Sequence, residues 1–357
     1  MALSFIMNAA GAASFIPFLV DAAKKATPPV GAITNVQFIT GEGDKLLGGK
    51  VPHIALWDDS GHRIGQWHPK KNEKMGAGES KEISVFHTQT EPQNAQRDPY
   101  YIMISNPDKD AICISSITVA NQKISGGFYG DTGYVCGQSW YHSTARLGPS
   151  FATPKCVWLD GDHTSGINAQ AMSFHLNDLA PQNDKLNQYQ ERQDTLCKST
   201  PRFSIWGNLQ PDSWIPFFKP PLRYKPDAMG GEGADEDPDA VIDKIVYDKG
   251  RYKRSRGRRA GTDNRDPSHL IITDYPSHSA KELCNSSNSY GWDTVSLREG
   301  MYCDMSFKEI YPLCSDKNTD NCFDLSKKAL VISRLHARDR SIADKVYNTT
   351  ATWKWTP

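Results

Sequence analysis

His53-Ile54-Ala55-Leu56-Trp57-Asp58-Asp59-Ser60-Gly61-His62-Arg63-Ile64-Gly65-Gln66-Trp67 decides the fold class. Five mostly apolar residues lead into an Asp/Ser/Gly turn, and Arg63 to Trp67 returns with apolar residues at intervals. That is the pattern of a β-hairpin. Strand-like runs lie on both sides: Val36 to Thr40 before it, then Glu82 to Phe86, Tyr100 to Ile104 and Ile112 to Val119 after it. Gly41-Glu42-Gly43-Asp44 reads as a turn closing the first. Such runs, spaced roughly 10–18 residues apart with turn chemistry between them, predict an antiparallel β-sandwich. No long helical period interrupts residues 33–120.

Cysteine spacing divides the rest of the chain. Cys113, Cys136, Cys156 and Cys197 precede an acidic-then-basic stretch, and Cys284, Cys303, Cys314 and Cys322 follow it. An even count with no C-x-x-C pair argues against zinc ribbons and thioredoxin-type motifs and for disulfides made in an oxidising compartment. The pairing is open at this level, although Cys314 and Cys322 are close enough to close a small loop. Asn285 and Asn348 begin N-glycosylation sequons. The 357 residues carry 41 basic and 41 acidic side chains. No global attraction to nucleic acid or anionic membrane follows from that balance, and no nucleic-acid partner is expected.

Residues 226–265 run from Gly-rich and acidic (Met229 to Asp237) to basic (Lys249 to Arg259). We read them as a flexible hinge. Lys253, Arg254, Arg258 and Arg259 are the candidate processing positions within it. The seven positive side chains between Lys249 and Arg259, with Tyr247 and Tyr252 nearby, have the composition of a nucleic-acid patch. The acidic block upstream would repel phosphate, and a solvated, internally neutralised loop is the simpler reading. Residues 1–30 form a hydrophobic segment. It is readable as a signal peptide without a basic start, as a retained amphipathic or buried helix, or as a membrane-inserting segment that uses residues 3–20.

Residues 31–225 are therefore expected to form the sandwich with an aromatic-rich extension from about residue 126. Its Trp and Tyr side chains fill the core, the alternative being an exposed carbohydrate platform. Within it a helix is expected over Lys185 to Leu196. Residues 266–357 are expected to form a smaller, disulfide-containing α+β module. It holds a strand at Ser268–Asp274 and a short helix capped by Ser277, with Ala280, Leu283 and Cys284 inward. Strands at Asp293–Leu297 and Gly300–Met305, an apolar run at Ala329–Ile332 and a terminal strand at Thr350–Trp355 complete the module.

The densest chemistry is Trp158-Leu159-Asp160-Gly161-Asp162-His163-Thr164, followed by His175-Leu176-Asn177-Asp178. Asp160, Asp162, His163 and His175 are the candidate catalytic residues, as metal ligands or as an acid–base pair. On a strand, Asp160, Asp162 and Thr164 would share one face. The plain alternative is a polar turn bonded to its own backbone. An EF-hand loop would need a further acidic position and a closing Glu. No nucleophile elbow, P-loop, dinucleotide fingerprint or H-E-x-x-H occurs, and no cofactor is expected.

Two resemblances add expectations. The early strand entering a Gly/Asp turn, the strand end Ala55-Leu56-Trp57-Asp58-Asp59 and the late strands ending Ile104-Ser105-Asn106 and Ile117-Thr118-Val119 resemble the PLAT (lipoxygenase-homology) type of sandwich. That resemblance implies a binding or targeting module for lipid or protein. Further on, Ser279-Ala280-Lys281-Glu282-Leu283-Cys284, Ser289-Tyr290-Gly291-Trp292-Asp293, Tyr302-Cys303-Asp304-Met305, Tyr311-Pro312-Leu313-Cys314 and Cys322-Phe323-Asp324 resemble uncharacterised secreted proteins of filamentous fungi. This implies secretion and a fungal source, with no assigned activity. The function expected is that of a non-enzymatic secreted binding protein, in the manner of an effector, a toxin-like or a surface protein, with a protein, glycan or lipid ligand. The alternatives are a hydrolase centred on Asp160, Asp162, His163 and His175, or a membrane-active protein using the N-terminal segment.

Overall fold

The structure is a computed structural model. It describes residues 32–92, 95–148, 151–180, 189, 193–218, 223–224, 231–232, 265–332 and 345–356. The proposed N-terminal segment therefore lies outside the described residues. So does the hinge, apart from Gly231–Glu232 and Arg265, together with its processing positions. Among the described residues no helix is long and apolar enough to cross a membrane.

The chain is mainly β, as an antiparallel sandwich followed by a smaller disulfide-containing α+β module. The first sheet centres on β1 (Ile33–Thr40) and β8 (Ile112–Ala120), with β6 (Ser80–Phe86) on the far side of β1. The other edge of β8 is shared. Ile112–Ile114 pair with β11 (Cys156–Leu159), and Ser116–Ala120 pair with β9 (Ser125–Tyr129). β10 (Trp140–Tyr141) extends the sheet beyond β11. The second sheet runs β13 (Phe203–Trp206), β12 (Ala171–His175), β7 (Tyr101–Ser105), β3 (His53–Trp57) and β4 (Arg63–Trp67), antiparallel throughout. The opening hairpin is thus β3–β4, with a register shift at Leu56/Trp57. Two-residue ladders join β2 (Gly49–Lys50) to β5 (Lys74–Met75) and β14 (Arg223–Tyr224) to β15 (Gly231–Glu232).

Val36, Phe38, Ile54, Leu56, Ile102, Ile104, Ile117 and Val119 alternate into the space between the sheets. The five residues of β7 are all buried, because that strand is covered on both sides. On its outer side Tyr101 and Met103 join Trp57 and Trp206 under Leu209, Ile215, Phe217 and Phe218. The 207–218 segment is therefore a cover, and the aromatic-rich extension is mostly core.

The C-terminal sheet is mixed, in the order β19 (Glu309–Pro312), β18 (Met301–Asp304), β17 (Asp293–Ser296), β16 (His269–Thr273) and β22 (Thr349–Trp353). β16 pairs in parallel with both β17 and β22. A parallel β16–β17 pair needs a crossover, and it contains helix α3 (Ala280–Asn285). Ser279, rather than Ser277, caps this helix by accepting the Glu282 N–H, and Ala280, Leu283 and Cys284 point inward as expected. Ser277 instead bonds Thr153 across to the sandwich at 2.7 Å. The remaining strands, β20 (Cys322–Asp324) and β21 (Ala329–Val331), form a hairpin. Two further short helices are α1 (Gly130–Val135) and α2 (Gln193–Cys197). Of the helix expected over Lys185–Leu196, only its end falls on α2; residues 185–188 and 190–192 lie outside the described residues.

All eight cysteines pair: Cys113–Cys156, Cys136–Cys197, Cys284–Cys303 and Cys314–Cys322. Each bridge stays on its own side of residues 226–265. Four closed bridges are the mark of folding in an oxidising environment.

The two parts share one core. Trp140, Tyr141 and Trp158 of the sandwich pack with Tyr290, Trp292 and Trp353. The polar tips of Trp140, Trp158, Trp353 and Tyr141 are satisfied across the junction. Trp140 Nε1 donates to Ser286 Oγ, Trp158 Nε1 to the Tyr290 carbonyl and Trp353 Nε1 to the Gly43 carbonyl, each at 2.8–2.9 Å. Tyr141 Oη lies 2.6 Å from Thr294 Oγ1 and donates to the Trp292 carbonyl at 3.0 Å. His269 Nε2 meets Asp44 at 2.8 Å. His142 and His278 stack at 4.6 Å, both fully buried. Burial pushes His142 down to about 3 and His278 well below the usual range, so both imidazoles are neutral at ordinary pH.

Candidate functional site

β11 ends at Leu159, and the chain turns immediately. Asp160 N–H donates to the Ala169 carbonyl, and the Asp160 carboxylate accepts the Thr164 N–H at 2.7 Å. Asp162 accepts the same N–H at 3.2 Å and the Thr164 hydroxyl as well. Gly161 threads beside Asp108: a Cβ there would lie 2.4 Å from the Pro107 backbone, so only glycine fits. His163 takes the left-handed conformation at φ 55°, and its Nδ1–H donates to the Ile167 carbonyl at 2.8 Å. Asp160, Asp162 and Thr164 are therefore not strand neighbours on one face. They form a turn in which both carboxylates hold one N–H, the arrangement by which Asp stabilises its own backbone.

The electrostatics of the two carboxyls diverge. Asp160 is fully buried, and its Oδ1 meets no hydrogen-bond partner among the described residues. Burial, aided by the charge of Asp162, pushes Asp160 up to about 6. The Thr164 hydroxyl holds exposed Asp162 below the usual range.

His175 belongs to a different place. It ends β12, whose five residues put roughly 13 Å of strand between it and the Asp160 turn. Its Nδ1 lies 2.7 Å from Asp178 Oδ2. Tyr189 donates to the other oxygen of Asp178 at 2.9 Å, with Arg202 Nε 3.6 Å away. Tyr100, Tyr101 and Phe218 surround the ring. This is a buried, hydrogen-bonded charge cluster under the 207–218 cover. The structure thus brings Asp160, Asp162 and His163 together and leaves His175 apart. Among the described residues no group of three or more His, Cys, Asp or Glu is arranged to hold a metal ion.

The surface offers a feature the sequence reading did not single out. Trp214, half-exposed at 51%, covers the Arg63 guanidinium at 5.7 Å, and Trp57 lies on Arg63 at 5.0 Å. Arg63 is fixed by the Ser213 carbonyl at 2.7 Å, Gln66 at 3.2 Å and Asp212 at 3.7 Å. A cation held between two rings makes the outer indole a rigid platform with donors and acceptors at its rim. The signal in the sequence was Asp212-Ser213-Trp214, a tryptophan in a polar turn, but only the packing separates it from its buried neighbours. The sequon residues Asn285 and Asn348 are both exposed.

Fold and surface define a disulfide-reinforced β-sandwich carrying a mixed-sheet module. No protein-family model, curated protein or solved structure matches the chain.

Proposed function

We propose that this chain is a secreted binding protein whose ligand contact centres on Trp214 and Arg63. The observation that carries this reading is the exposed Trp214 indole over the Arg63 guanidinium, which Ser213, Gln66 and Asp212 hold in place. Such an aromatic face with polar groups at its rim suits a glycan, which stacks a sugar ring and bonds its hydroxyls. Four disulfides and two exposed sequons fit a secreted glycoprotein. The resemblance to PLAT-type binding sandwiches points the same way, and the resemblance to secreted fungal proteins suggests an effector, toxin-like or surface role. A glycan array probed with wild type and Trp214→Ala is the test. Retained binding of the same glycans by the variant, or no glycan bound by wild type, rejects the site.

A hydrolase remains the second reading because the raised Asp160 carboxyl beside Asp162 uses only one of its oxygens in the turn. Asp160→Asn and Asp162→Ala, assayed on chromogenic glycosides and esters with metal analysis alongside, test it. Unchanged turnover in both, or none in wild type, removes it. Membrane activity through residues 3–20 is tested by liposome flotation with and without residues 1–25.

A further inference from the structure

The most concentrated buried charge lies in the C-terminal sheet, away from the surfaces described above. Asp293 on β17 and Asp304 on β18 sit beside each other, flanking the Thr294/Cys303 register pair. Lys345 enters between them just before β22. Its Nζ lies 2.7 Å from Asp293 Oδ2, 2.6 Å from Asp304 Oδ1 and 3.1 Å from Ser306 Oγ. Side-chain exposure is 14% for the lysine, 0% for Asp293 and 3% for Asp304. The surroundings are aromatic. Tyr347 and Tyr302 direct their hydroxyls at Asp293 Oδ2 from 2.6 and 3.2 Å and at each other at 2.6 Å. Tyr302 stacks on Phe323 at 4.1 Å, and Phe307 lies 5.9 Å from the ammonium.

Two buried carboxyls face one buried cation, so charge balance is met when one carboxyl keeps its proton. Burial raises Asp293, whose Oδ2 meets both tyrosine hydroxyls as well as the ammonium. Asp293 Oδ1 accepts the Met305 N–H at 2.7 Å, and Asp304 Oδ1 accepts N–H bonds from Ser306 and Phe307 while it meets the Lys345 ammonium. An amine, a neutral carboxylic acid and a proton-accepting carboxylate in a water-poor aromatic pocket are the components of amide formation.

We propose that Lys345 and Asp293 become joined by an intramolecular isopeptide bond, with Asp304 as the proton acceptor. Asp304 takes a proton from the Lys345 ammonium. The freed amine attacks Asp293 Cγ, and the Tyr302 and Tyr347 hydroxyls stabilise the tetrahedral oxyanion. The C–OH bond breaks, and the hydroxyl leaves with a second proton from the nitrogen as water. The products are a secondary amide, one water and protonated Asp304. No oxidant or cofactor takes part. The bond would tie the lead-in of edge strand β22 to β17, on the other side of β16, which is a covalent brace across the sheet.

Peptide mapping of the full-length, reduced and deglycosylated wild-type chain tests this directly. The expected result is a branched tryptic product joining the Lys345 and Asp293 peptides, one water lighter than their sum, with no cleavage after Lys345. Lys345→Arg keeps the cation and is expected to yield the two separate peptides. Asp304→Asn is expected to show the same loss of the branched product. Ordinary tryptic cleavage after Lys345 in folded wild type overturns the proposal whatever the variants do. A branch to Asp304, or a full yield of branched product in Asp304→Asn, overturns it equally.

Discussion

Replacing Gly43 by alanine drives a methyl group into the indole that ties the last strand to the sandwich. Gly43 has φ +115°, and a Cβ there would lie 2.7 Å from Cε2 and 2.9 Å from Cζ2 of Trp353. That backbone conformation costs a non-glycine residue about 1–3 kcal/mol. Overpacking a well-filled site adds about 1–3 kcal/mol more. Trp353 is 5% exposed and donates to the Gly43 carbonyl at 2.8 Å, so Trp353→Ala is expected to cost about 3–5 kcal/mol on its own. The two changes are not independent. Once the indole is gone the new methyl has nothing to strike, and only the backbone strain of Gly43→Ala remains. The double variant should therefore be more stable than additivity predicts by about 1–3 kcal/mol, the overpacking part. Urea unfolding followed by far-UV circular dichroism measures all four corners of the cycle, since removing a tryptophan alters fluorescence for trivial reasons. Additivity within about 0.5 kcal/mol would refute the claim that the Gly43–Trp353 contact joins the two parts.

The bridges should differ in worth with the loop that each closes. The 43-residue separation of Cys113 and Cys156 gives about 4 kcal/mol of chain entropy, and the 8-residue separation of Cys314 and Cys322 about 2.5 kcal/mol. Thermal melts of the two paired Cys→Ala variants should rank in that order. Asp160, pushed by burial from an ordinary 3.8 up to about 6 in the folded chain, binds more proton folded than unfolded between those limits. Its contribution is full below about pH 4 and is lost as pH rises through 6, so wild-type stability falls across that window relative to Asp160→Asn. Cleavage after Arg254 or Arg259 should leave two fragments that co-migrate on a native gel through the shared core. They should separate in SDS without reductant, because no bridge joins the halves; one band there refutes the pairing.

Much of the sandwich was legible because its signals are local. β3 and β4 match the hairpin read from residues 53–67, and the apolar run at Tyr100–Ile104 corresponds to strand β7. The Cys314–Cys322 bridge is one that the spacing permitted, among pairings the sequence left open. For Asp160–Thr164 the alternation of residue types left a strand face and a polar turn both open, and the turn is what forms. The outcome hinged on Gly161, whose missing side chain lets the chain press against Pro107 and turn. The helix start moved from Ser277 to Ser279 because Glu299, distant in sequence, accepts the Ala280 and Lys281 N–H groups and the Ser279 hydroxyl. Trp214 carries the same letter as buried Trp206, and only the 207–218 cover distinguishes them.

The junction was the least legible feature, and the reason is physical. Its aromatic residues read as ordinary core, and core they are, but of a layer built from both ends of the chain. Hydrophobic burial alone would let two such faces slide. Here Trp140, Trp158, Trp353 and Tyr141 each anchor a polar tip on a named partner across the boundary. In a buried layer a lost partner leaves an unsatisfied group, so any shifted register is penalised at several points together. The stacked, neutral His142 and His278 reinforce this, since His278 Nε2 reaches the Ser143 carbonyl at 3.1 Å and His142 Nε2 the Ser279 carbonyl at 3.2 Å. Such reciprocal bonds couple the two parts into one cooperative unit. The acidic-to-basic stretch that divides the sequence is thus a boundary of composition, and the described contacts run across it.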